Sequence, residues 1–193
     1  MPHVDLAFRL MGTTVPVDHG YALYSAINRL VPDLHDAKDI GVHPIRGRYG
    51  GDGKLLLLPS SRLILRLSVD SIRPYLQLAG KTLDVDGHRL LVSVPETRAL
   101  RPAATLYARL VTIKGFMEPD GFLEAAERRL HEMGATAELR LGERRTLRVK
   151  DKQVVGFEVA AIGLDAEDSV RLQETGIGGR RHMGCGTFVP FRR

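Results

Sequence analysis

The feature that most limits what this chain can fold into is an order of segments that occurs twice. Val4-Asp5-Leu6-Ala7-Phe8-Arg9-Leu10-Met11 begins with apolar and polar residues in alternation and stops at Gly12, which predicts a strand. Asp18 is placed to cap a helix running through Val31, with Tyr21, Leu23, Tyr24, Ile27 and Leu30 available for a buried stripe and Pro32 to end it. After a glycine-rich, irregular stretch over 41–53, Leu55–Leu58 and Leu63–Leu67 read as two strands joined around Pro59-Ser60-Ser61. Val69–Leu78 reads as helical and Gly80 closes it; Thr82–Val94 carries strand pattern broken at Asp86-Gly87. The order is β-α-β-β-α-β.

The second half repeats it. Ala104–Ile113 predicts a strand, and Pro119 with Asp120 opens a helix to Met133 that Gly134 terminates. Ala137–Leu141 and Thr146–Val149 form one long bent strand or a hairpin, and Val154–Leu164 follows. Asp165 and Asp168 start a short helix to about Glu174, and a glycine-rich loop leads to a final strand. Two consecutive copies predict an α+β fold of two tandem ferredoxin-like, RRM-like domains over 1–97 and 103–193, joined near Pro95–Pro102. Order alone relates the halves, because no residue-level repeat links them.

Composition narrows the partners. A chain of 193 residues with 44% hydrophobic content can bury two small cores, and it has no apolar run near the ~18 residues of a membrane span. Met-Pro-His-Val-Asp lacks the basic and apolar regions of a signal peptide, so the expected compartment is the cytoplasm. Cys185 stands alone, which excludes an intramolecular disulfide and a cysteine-based zinc site. The net charge is +5 and most cations are arginine, whose planar fork suits phosphate, so nucleic acid is the expected anionic partner. The alternative is a basic enzyme with no polyanion.

Gly176-Ile177-Gly178-Gly179-Arg180-Arg181-His182-Met183-Gly184-Cys185-Gly186, followed by Thr187-Phe188-Val189-Pro190-Phe191, joins backbone freedom to two adjacent guanidinium groups. A dinucleotide fingerprint fails here because Arg181 stands where the third glycine belongs. A Walker loop fails because Cys185-Gly186 replaces Lys-Ser/Thr. In the form Gly-hydrophobic-Gly-Gly-Arg-Arg-x-x-Gly-Cys-Gly-hydrophobic-Phe, the segment resembles the signature of the CRISPR repeat-processing endoribonucleases of the RAMP superfamily. Asp18-His19-Gly20-Tyr21-Ala22-Leu23-Tyr24-Ser25-Ala26-Ile27 resembles the first-helix segment of the MYXAN-type subgroup. The two motifs sit at opposite ends, so the resemblance covers nearly the whole chain.

The resemblance implies an endoribonuclease, independent of metal and cofactor, that cuts a CRISPR precursor transcript within each repeat. The repeat 2′-hydroxyl attacks the neighbouring phosphate and leaves 5′-hydroxyl and 2′,3′-cyclic phosphate ends. The partners implied are CRISPR repeat RNA, the mature guide RNA and other CRISPR-associated proteins of an interference complex, with no membrane. Relatives that hold guide RNA without cutting it supply the alternative, a noncatalytic binding subunit.

That chemistry needs a base, an acid and positive charge for the phosphorane. His19 is the expected acid–base group, since imidazole titrates near neutrality and the resemblance puts a catalytic histidine around the first helix. Tyr21 and Tyr24 are candidates to orient it or to donate to phosphate, although Tyr24 also suits the core. His35, just past the first helix where some relatives carry their histidine, and His43 are the rivals, with Lys38 and Lys54 as possible electrostatic partners. Arg180 and Arg181, with the main chain of Gly178 and Gly179, are expected to contact phosphate. Arg144, Arg145, Arg148 and Lys150 belong to the densest basic tract, which also holds Arg140 and Lys152. Strand alternation puts Thr146, Arg148 and Lys150 opposite Leu147 and Val149, where they could lie along a hairpin-shaped RNA. The competing readings are a glycine loop that merely packs and a sheet face that is merely solvated.

Overall fold

In the computed structural model, which describes residues 2–37 and 39–191, the chain divides between Ala99 and Leu100 into two units. The first is organised by β1 (His3–Met11), whose Leu6, Phe8 and Leu10 are buried while Arg9 is exposed on the opposite face. It continues with β2 (Thr14–Pro16), α1 (Gly20–Leu30), β3 (Gly41–Val42), β4 (Arg48–Gly51), β5 (Lys54–Leu56), β6 (Arg62–Ser68), β7 (Thr82–Val85) and β8 (His88–Ala99). Strands β3-β6-β1-β8-β7 form one antiparallel sheet, and β2-β5-β4 form a separate three-stranded sheet. Without β7 the main sheet has the ferredoxin-like order: β1 lies between the strand that precedes the second helical segment and the strand that follows it.

Several elements differ from the sequence expectation, each for a local reason. Leu55–Leu58 does not pair with Leu63–Leu67, because β5 joins β2 and β4 instead, and Gly41–Val42 supplies the partner of β6. The predicted helix over Val69–Leu78 is two 3₁₀ segments, Val69–Ser71 and Arg73–Leu78. Pro74 lacks a backbone donor and disfavours the α conformation at Arg73, so a continuous helix cannot pass. Asp18 does not cap α1: His19 occupies the cap position and makes no side-chain cap hydrogen bond. Pro95 does not end β8, which continues to Ala99 beside a register shift opposite Phe8–Leu10. The break at Asp86-Gly87 is a two-residue hairpin turn, with both residues at positive φ and Asp84 accepting a 2.7 Å bond from Gly87 N–H.

The second unit follows the expected order more closely: β9 (Thr105–Val111), α2 (Pro119–Glu132), β10 (Glu138–Val149), β11 (Lys152–Ile162), α3 (Ala166–Thr175) and β12 (Val189–Pro190). The sheet order is β10-β11-β9-β12. Pro119 fits the first turn of α2, where its missing N–H costs nothing, and Asp165 caps α3 by accepting a 2.8 Å bond from Asp168 N–H. Both helices bury one side against the sheet, where Phe122 meets Phe157 at 4.9 Å between ring centroids and Leu172 joins Val159 and Phe188. β10 is one long strand whose register shifts between Leu141 and Arg144. Gly142 lies in that shift, and a Cβ there would run into the Glu158 side chain.

Candidate active site

Helix α1 places Tyr21 and Tyr24 one turn apart, with ring centroids 6.2 Å from each other. Pro32 ends the helix and starts a 3₁₀ turn over Pro32–His35, which carries His35 back to Tyr24. The Tyr24 hydroxyl and His35 Nδ1 are 2.7 Å apart. Burial first, then Tyr21 and Asp36, raises the Tyr24 phenol above its ordinary value, so it keeps its proton at neutral pH. His35 is exposed and Tyr24 is buried, an arrangement in which one partner fixes the ring and the other reaches a ligand. Lys38 lies outside the described residues.

His19 is placed differently. Its side chain is 2% exposed, Nδ1 is 2.7 Å from the Pro16 carbonyl, and Nε2 accepts a 2.9 Å bond from Ile45 N–H. With Nδ1 donating and Nε2 accepting, the ring is neutral and both nitrogens are taken up by main chain. This geometry departs from the expectation of an acid–base group at the helix start: the imidazole ties α1 to β2 and to the segment entering β4. His43 is buried as well, with Nε2 3.6 Å from Asp5 Oδ1. Asp5 in turn receives Arg66 Nε at 2.8 Å and Nη2 at 3.0 Å, a fork-shaped pair whose guanidinium is 1% exposed. Nothing local signals this cluster, because Asp5 and Arg66 are 61 positions apart and meet only through the β1–β6 register.

In the second unit, the register shift in β10 changes what alternation implies. Arg144 pairs across to Phe157, while Arg145 pairs with Gly156 on the face that also carries Glu158. Arg145 gives Glu158 Oε1 two bonds, 2.9 and 2.6 Å, and lies 2.9 Å from Glu143. Burial alone would raise the Glu158 carboxyl, but bonds from Arg145, Tyr107 and Glu143 N–H together hold it below its ordinary value. Burial and the Glu158 bond push Tyr107 up to about 12. Arg140 pairs with Glu138 at 2.7 Å. Arg144, Arg148 and Lys150 are exposed, with Arg148 Nε 3.3 Å from the Lys150 carbonyl.

The terminal loop packs through its glycines. A Cβ at Gly178 would overlap the Thr112 carbonyl, one at Gly176 the Gly186 carbonyl, and one at Gly186 the Ile177 carbonyl. Gly179 N–H donates to Thr112 at 2.9 Å and Gly186 N–H to Leu110 at 2.8 Å, so these donors are occupied by β9 and its extension rather than presented to an anion. Arg181 turns inward and donates to the Glu174 carbonyl at 2.6 Å, holding the end of α3. Arg180 is exposed in the left-handed region at φ 62°. Among the described residues, no group of three or more His, Cys, Asp or Glu is arranged to hold a metal ion. No helix among them is long and apolar enough to cross a membrane.

A family model described as Cas6, Cas6 Crispr, matches residues 4–193. The CRISPR-associated endonuclease Cas6 of Myxococcus xanthus is 44% identical over 190 residues, covering 98% of this chain and 82% of that protein. A solved RAMP protein binding different RNA substrates superposes with a TM-score of 0.67 at 15% identity over 100% of both chains. The structure of a Cas6-related gene product from Pyrococcus furiosus gives 0.65 at 15% identity over 99% of both. These likenesses extend the tandem ferredoxin-like order to the whole chain, and the family match spans both units. The chain therefore belongs to the Cas6 family.

Proposed function

We propose that this chain is an endoribonuclease that cuts precursor CRISPR RNA within its repeats and holds the mature guide for an interference complex. The observation that carries the site assignment is the 2.7 Å contact between Tyr24 and His35, in which an exposed imidazole is held by a buried, protonated phenol. In the tautomer with its proton on Nδ1, His35 donates to the Tyr24 oxygen and keeps the Nε2 lone pair for the 2′-hydroxyl. The 2′-oxygen attacks the adjacent phosphorus as its proton passes to Nε2. The bond from phosphorus to the 5′-oxygen breaks with its electron pair on that oxygen, which takes a proton back. The products are a 2′,3′-cyclic phosphate and a 5′-hydroxyl, and the reaction is balanced without oxidant or reductant. Arg180, Arg144, Arg148 and Lys150 provide exposed positive charge for the RNA backbone. His19 acts in this scheme as a positioning residue, because its ring nitrogens both serve main chain.

The test is incubation of the full chain with repeat RNA from its own locus, with and without excess chelator, reading both fragment ends. Cyclic phosphate and 5′-hydroxyl ends that persist in chelator are expected. His35→Ala should slow cutting by about 10²–10⁴-fold while leaving RNA binding within a few-fold. Cutting by His35→Ala at the wild-type rate would remove the assignment, and tight binding by wild type with no cutting would favour the noncatalytic alternative.

A further inference from the structure

The β4–β5 hairpin is a chemically distinct surface that the acid–base scheme does not use. Tyr49 is 67% exposed, and no hydrogen bond or ring contact engages it among the described residues. Arg46, Arg48 and Lys54 belong to the same hairpin, all exposed and, among the described residues, none with a carboxylate partner; the register puts Tyr49 on the face of Leu55 and Arg48 on the face of Leu56. The hairpin's one acidic residue, Asp52, stands at the turn at φ 47°. The strands come so close that a Cβ at Gly47 would meet the Leu56 main chain and one at Gly50 the Leu56 side chain. An exposed ring and unneutralised cations on one narrow two-stranded ribbon are the composition of a surface that an unpaired strand can cross: the ring offers a face to any base and the cations take phosphates as the strand passes over the ribbon's edge.

We propose that this hairpin is a second RNA contact, in which Tyr49 stacks on an unpaired base and Arg46, Arg48 and Lys54 bind the flanking phosphates. The inference rests on the RNA reading above. His19 fixes its position relative to α1, since Ile45 N–H bonds to Nε2 at the root of β4 and Pro16, bonded to Nδ1, pairs with Lys54 in β5. Tyr49 lies four residues, at most about 13 Å of chain, beyond Ile45. Tyr24 lies five helical residues, about 7.5 Å, beyond His19. The imidazole thus registers the hairpin against the helix that carries Tyr24.

The experiment measures binding of the full chain to repeat RNA carrying 2′-deoxyribose at the scissile nucleotide, so that cutting does not enter. A 2-aminopurine is placed in turn at each unpaired position. Tyr49→Ala should weaken binding roughly five- to 150-fold and restore 2-aminopurine emission at one position, whereas Tyr49→Phe should match wild type. Because the ring is exposed, the melting temperature should not move. Binding and emission unchanged in Tyr49→Ala overturn the proposal. Unchanged RNA binding with lost capture of a purified CRISPR-associated subunit also overturns it and assigns the hairpin to a protein. If wild type binds RNA but never cuts its all-ribose repeat, the catalytic reading fails and this one stands. If wild type cuts and Tyr49→Ala is indistinguishable from it, the reverse holds.

Discussion

Two basic hairpins, one in each unit, direct their charge differently. Between Glu138 and Glu158 six cations stand among four carboxylates, and Arg140 and Arg145 are paired with Glu138, Glu143 and Glu158. Between Arg46 and Leu56 three cations stand with Asp52 alone, and none is paired among the described residues. The net charge of the two stretches is the same, but the shorter one presents all of its cations outward. Charge density along a sequence therefore says little about charge available to a polyanion, because carboxylates on the neighbouring strand decide it.

The comparison should be broken most visibly where paired charge is deepest. Asp5→Ala would take the carboxylate away from a guanidinium that is 1% exposed, and unfolding of the first unit should become easier by about 3–5 kcal/mol. A denaturant midpoint that barely moves would show that this pair is not structural. Glu158→Gln should cost less, about 1 kcal/mol, since its partner Arg145 is 40% exposed and well screened. Its pH signature is the sharper measurement. A carboxyl held below its ordinary value when folded adds stability above the unfolded pKa and loses it as pH falls through the folded value. Wild type should lose this contribution as pH drops below the ordinary glutamate value of about 4.3, and Glu158→Gln should show a shallower acid limb.

The smallest effects separate the hairpins directly. Replacing Arg46, Arg48 and Lys54 together by Ala should lower the slope of log affinity against log salt by about 2, near 0.7 for each phosphate contact on single-stranded RNA. Arg140→Ala should leave the slope unchanged, because Glu138 already neutralises that guanidinium. Equal changes from the two sets would erase the distinction.

The second unit was legible in its order because its signals are local: Pro119 at a helix start, Asp165 three residues before the N–H it caps, Gly134 at a helix end. The first was less so. Leu55 and Leu56 have the composition of a core strand, yet they pair with Thr14 and Val15 in a side sheet, a choice fixed by partners forty residues away. Pro74 breaks the helix expected over Val69–Leu78 into 3₁₀ segments, a signal that the sequence does carry. Among candidate site residues, Tyr24 and His35 carried no joint signal, since they sit eleven positions apart across a helix end. His19 stands out in the sequence by type and place, but only tertiary structure reveals that Pro16 and Ile45 occupy both of its nitrogens. In the terminal loop the glycine pattern suggests room for a ligand, whereas at Gly176, Gly178 and Gly186 the neighbour is main-chain carbonyl.

That loop also decides how the chain end is held. β12 contributes two residues of pairing to β9, but Gly179, Gly186 and Phe191 each donate along the same edge, to Thr112, Leu110 and Thr105. The edge is stitched at intervals rather than as a continuous ladder. Segment 180–185 between these anchors is itself held, because Arg181 donates to the Glu174 carbonyl, Cys185 is buried, and Met183 and Cys185 N–H both donate to the Arg180 carbonyl. One methyl group at Gly178, driven into the Thr112 carbonyl, should therefore unpick the edge, and the turn that follows would lose its register with it.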